Sequence, residues 1–118
     1  MAEVIEPEAF NERFTIGLDA AGQLIERTVR QMTTNEVLAA VQFYDNEIVR
    51  LEREAQPWSR LIAEAGAAGR LRELDLTGTA AEALHRLADA LNTSVRLETL
   101  IMALMPGWQK NPVRRFRP

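Results

Sequence analysis

A chain of 118 residues with 47% apolar and 26% charged side chains is long enough to build one ordinary core without covalent staples. It has no cysteine, which excludes disulfides, thiolate metal sites and cysteine nucleophiles together. The net charge of −3 makes a strong nucleic-acid footprint unexpected, and it hides an asymmetry. Residues 1–12 hold Glu3, Glu6, Glu8 and Glu12 with no cation, whereas residues 106–118 hold Lys110, Arg114, Arg115 and Arg117 with no acid. Ends of opposite sign can pair, within one molecule or between copies.

The chain begins Met1-Ala2-Glu3 with neither a basic region nor an apolar run of signal length, so export by that route is not expected and a cytoplasmic location is the default. No apolar run approaches membrane-spanning length. Residues 1–12 contain Pro7, and only Val4, Ile5 and Phe10 could anchor them, so they read as an acidic arm that is loosely held unless a partner orders it.

From Phe14 the pattern has period two: Phe14, Ile16 and Leu18 alternate with Thr15, Gly17 and Asp19. Asp19-Ala20-Ala21-Gly22 follows, in which Asp starts a turn and Gly22 can take the left-handed conformation that closes it. Leu24 to Arg30 is then rich in β-branched side chains. The expectation is a β-hairpin pairing 13–19 with 23–30, which must lean on helices or be extended by strands of another chain. A single amphipathic helix over 19–32 is the rival, and Gly17 and Gly22 count against helical structure here.

Thr33-Thr34-Asn35-Glu36 is a helix start, with Thr33 as cap and Glu36 at the capping-box position. Beyond it Val37, Val41, Tyr44, Ile48, Leu51, Ala55, Trp58 and Ile62 alternate in steps of four and three, an apolar heptad seam. Charged residues stand between them, and pairs such as Arg50 with Glu54 support the wet face. Pro57 lacks the amide hydrogen and should kink the helix or start a new one in the same direction. Gly66-Ala67-Ala68-Gly69 ends the element, and 70–76 reads as a connector.

Thr79, with Glu82 at the box position, opens a further helix whose apolar face is Ala80, Leu84, Leu87, Ala88 and Leu91. Asn92-Thr93-Ser94 favours caps and turns, and the next stripe, Leu97, Leu100, Ile101 and Leu104, is out of phase. Two helices, 79–91 and 94–105, are therefore expected rather than one bent helix. Pro106-Gly107 stops the last of them. The fold class is mainly α with an α+β character: an N-terminal β-hairpin, a long kinked helix and two shorter C-terminal helices. The organisation is an acidic arm (1–12), a single helical domain with its hairpin (13–105) and a basic, aromatic tail (106–118).

Candidates for catalysis are few. His85 is the only histidine; Asp89 is placed to hold its ring, but no hydroxyl or carbonyl site stands beside it, and it reads as a helix-surface residue. No spacing of carboxylates recommends a metal site, and the glycines form no phosphate loop. The expectation is a protein without catalytic residues, cofactor or metal. The seam of Val37, Val41, Tyr44, Ile48, Leu51 and Trp58 is the candidate surface for self-association, because roughly 30 residues make a helix of about 45 Å, longer than so small a domain needs. A homodimer is expected. The tail is the candidate partner-binding segment: Trp108 and Phe116 bracket Lys110, Arg114, Arg115 and Arg117, a mixture suited to an acidic, partly apolar groove on another protein. The same mixture, with Arg27 and Arg30, gives the alternative of a small nucleic-acid-binding subunit of a larger ribonucleoprotein or DNA-processing complex. An adaptor, inhibitor or assembly protein, of the kind phages and mobile elements carry, is the functional expectation, with no membrane involvement.

Overall fold

The computed structural model describes residues 5–70 and 78–108. A short 3-10 turn (Pro7–Asn11) leads into strand β1 (Arg13–Leu18), which pairs antiparallel with β2 (Leu24–Thr28); a second 3-10 turn (Val29–Gln31) follows, then helices α1 (Thr34–Ala67) and α2 (Thr79–Leu104). The chain is mainly helical with an N-terminal hairpin, as the sequence implies.

Local chemistry accounts for the hairpin and the helix starts. Asp19 Oδ1 accepts from the amides of Ala21 and Gln23, both at 2.9 Å, and Gly22 closes the turn at φ +79°, a region closed to most side chains. The register slips by one residue between Thr15 and Gly17. This bulge corrects the period-two reading of β1. Phe14 lies opposite Arg27, but Leu18 lies opposite Leu24, on the other face of the sheet. Phe14 is fully buried and Leu18 is exposed.

The capping box forms as expected: the Glu36 amide donates to Thr33 Oγ1 at 3.2 Å, and the Thr33 amide donates to Glu36 Oε1 at 2.9 Å. Helix α1 runs through Pro57 without a break. Pro57 lies on the exposed side, so the Arg53 carbonyl that its missing N–H leaves unpaired is open to water. Gly69, at φ +71°, ends α1, and the Arg70 amide bonds back to the Ala65 carbonyl at 2.7 Å.

Helix α2 corrects the expected pair of helices, because 79–104 is a single element. Its inward stripe runs through Ala80, Leu84, Leu87, Ala90, Ser94, Leu97 and Ile101, each buried or half-buried. The apparent phase break came from taking Leu91 as a seam position. Small Ala90 and Ser94 occupy the stripe instead, while Leu91 is exposed. Thr79 is the first helical residue rather than a residue outside the helix, and Glu82 turns forward to pair with Arg86.

Two compact units are present: residues up to Asp45 with those from Thr93 onward, and Asn46–Asn92. In the first, Phe14, Val29, Val37, Ala40, Leu97, Leu100 and Ile101 form the core. Ile5, Ala9 and Phe10 pack against it, so residues 5–12 are docked rather than loosely held. The Arg30 guanidinium lies 4.3 Å from the centre of the Phe10 ring, and Glu12 forms a two-pronged ion pair with Arg96 at 2.9 and 3.1 Å. In the second unit Ile48, Leu51, Ala55, Ala65 and Ala80 are buried. On its wet side Arg50 reaches Glu47 at 2.8 Å and Glu54 at 2.9 Å, and Glu47 above all raises the guanidinium pKa.

Candidate functional site

Each seam residue faces inward within one chain. Val37, Ile48 and Leu51 are buried, and Val41, Tyr44 and Trp58 are half-buried. Tyr44 has a further role that periodicity does not reveal. Its hydroxyl accepts the Thr15 amide at 3.0 Å, and its ring stands edge-on to Phe14 and to Phe43, with centroids 6.3 and 5.2 Å apart. The contact ties α1 to β1 through a backbone donor of the strand.

Of the tail residues singled out for partner binding, Trp108 alone falls among the described residues. It packs against the core of the first unit, and its amide donates to the Met105 carbonyl at 3.0 Å. Lys110, Arg114, Arg115, Phe116 and Arg117 lie outside the described residues. His85 is 79% exposed and its Nε2 is 3.5 Å from Asp89 Oδ2, the expected neighbour. Among the described residues no group of three metal-ligating side chains comes together, and no helix is long and apolar enough to cross a membrane.

The most exposed large apolar side chains of the first unit lie on the hairpin and on α2, with Leu38 of α1 47% exposed and Leu104 38%. At the turn end of the hairpin, Leu18 and Leu24 form a cross-strand pair, 61% and 55% exposed. On α2, Val95 and Met102 are 62% and 57% exposed. Val95 also lines a small groove of about 140 Å³ with Ile5, Ala9, Thr99 and Leu100, and Glu12 and Arg96 stand at its rim. The sequence reading missed both places. The hairpin pair could have been found from the turn alone, because a turn over 19–23 sets Leu18 opposite Leu24. The groove joins residues some 90 positions apart and has no local signal.

A second, wider depression of about 400 Å³ lies in the other unit, lined by Val49, Glu52, Arg53, Gln56, Ser59 and Leu87. It offers no cluster of titratable groups around an apolar floor. The chain matches no family model, no curated protein and no solved structure.

Proposed function

We propose that this is a non-catalytic binding protein that works by contact with other protein chains, a second copy of itself among them. The observation that carries the reading is the Leu18–Leu24 pair, two large apolar side chains side by side at the end of a two-stranded sheet. Burying what remains exposed of the two would contribute about 2–3 kcal/mol, enough for a contact centre but not for a whole interface. Seam residues Val37, Ile48 and Leu51 are already used within one chain, which favours the hairpin end over the seam as the surface between copies. The nucleic-acid alternative has less support. Arg30 is stacked on Phe10, Arg96 is held by Glu12, and Arg13 and Arg27 both donate to the Glu26 carbonyl.

Light scattering on the intact chain and on the Leu18→Asp, Leu24→Asp double variant tests the reading. The intact chain should have twice the 13.3 kDa monomer mass, and the variant should be a monomer with an unchanged circular dichroism spectrum. An intact chain that is monomeric at all accessible concentrations, or a variant that remains dimeric, overturns the assignment of this pair.

A further inference from the structure

In a two-stranded sheet each strand has one edge that its partner strand does not cover, and an uncovered edge is a template for a further strand. Along β2 the backbone groups alternate between the two edges, so the direction of one residue fixes the rest. Gln23 adjoins β2, and its carbonyl accepts the Asp19 amide at 2.8 Å across the turn. The backbone groups of Gln23, Ile25 and Arg27 therefore face β1, and those of Leu24, Glu26 and Thr28 face the outer edge. The register agrees, because Thr15 stands opposite Glu26 and its amide donates to the Tyr44 hydroxyl of α1.

Side chains of the same chain already occupy that outer edge. The Glu26 carbonyl accepts from the Arg27 guanidinium at 2.8 Å and from the Arg13 guanidinium at 3.2 Å. Two residues on, the Thr28 amide donates to Gln31 Oε1 at 3.1 Å, from the 3-10 turn that directly follows β2. An acceptor and a donor that a docking strand would need are thus both taken. We propose that Arg13, Arg27 and Gln31 are a built-in guard that closes the β2 edge to strand addition, by a second copy or by another chain. An incoming strand must displace two charged donors from one carbonyl, and bonds from charged donors are the stronger kind. A lone hairpin must lean on helices or be extended by foreign strands, and here it leans: Tyr44 ties β1 to α1, while the chain's own side chains close β2. The inference goes beyond the binding reading above. It concerns the backbone edge of β2 rather than the Leu18 and Leu24 side chains, and it holds whether or not that pair forms an interface.

Arg13→Thr with Arg27→Thr removes both guanidiniums and keeps residues that favour strands. The probe is a synthetic peptide of residues 23–29, added to the full-length chain. The double variant should bind it about tenfold more tightly than the parent does, the size expected when side-chain donors no longer compete for the carbonyl. On binding, hydrogen exchange should slow at the Leu24 and Glu26 amides, the outer-edge donors, while the Ile25 amide, which faces β1, keeps its rate. Equal affinity of the parent and the double variant, undetectable binding to both included, would overturn the proposal. So would protection that appears elsewhere than at Leu24 and Glu26. Circular dichroism checks that the double variant keeps the parent's fold. If it does not, Arg27→Thr alone, which leaves Arg13 on the carbonyl, carries the same comparison at the same amides with a smaller gain.

Discussion

Replacing Tyr44 by phenylalanine isolates a single atom of the structure. The ring and its edge-on contacts with Phe14 and Phe43 remain, and no cavity forms; only the hydroxyl that accepts the Thr15 amide at 3.0 Å is lost. Thr15 is 7% exposed, so its N–H is left with little access to water. An unsatisfied buried donor costs about 1–3 kcal/mol, more than the net worth of the bond itself. For a chain of this length about 2 kcal/mol corresponds to a fall in Tm of roughly 8 °C. The assay is thermal unfolding followed by circular dichroism at two protein concentrations. If Tyr44 acts within the chain, the Tm falls by the same amount at both concentrations. A Tm within about 1 °C of the parent would refute the buried-donor argument. A fall that shrinks as concentration rises would return Tyr44 to an interface between copies.

Three further substitutions probe the backbone. Pro57→Ala, at an exposed interior position of α1, should stabilise the protein by up to about 3 kcal/mol, read as a higher Tm; a lower Tm would mean that the proline fixes a bend the fold requires. Gly22→Ala should cost about 1 kcal/mol in denaturant unfolding, because alanine is strained at φ +79° even though nothing lies within 4 Å of the added carbon. Asn92→Ala decides between one helix and two by its sign: in the interior of α2 it should stabilise by about 0.5 kcal/mol, whereas removal of a cap between two helices would cost about 1 kcal/mol.

What was legible in the sequence is what short-range chemistry dictates. Asp19 and Gly22 specify their turn, Thr33 and Glu36 their capping box, and Gly69 the end of α1, each within five residues. The seam of α1 was legible as a buried face, but a buried face does not name what buries it. Val37 meets the hairpin and α2 in the first unit's core, and a period of three and four would look the same had a second copy covered it. The docking of residues 5–12 was illegible for the same reason. Phe10 finds Arg30, and Glu12 finds Arg96, 84 positions away, through contacts that no window of the sequence contains.

The two departures from simple pattern have separate physical origins, small side chains on the buried stripe of α2 and an extra residue in β1. In α2 the inward stripe crosses Asn92-Thr93-Ser94 on Ala90 and Ser94, whose small volume lets the helix stay close to what it packs on. Leu91, the larger and seemingly better candidate, is turned out to solvent. In β1 one extra residue between Thr15 and Gly17 moves everything after it to the opposite face, so Leu18, which simple alternation would bury with Phe14, emerges beside Leu24. A bulge that exposes a leucine gives up the burial of that side chain, about 1–2 kcal/mol. Such a loss is tolerated when the exposed group is used, and bulges are frequent where a strand must re-aim a side chain toward a site. The same irregularity that defeated the sequence reading therefore draws attention to the hairpin end, and the Leu18–Leu24 pair is where a binding surface should be sought first.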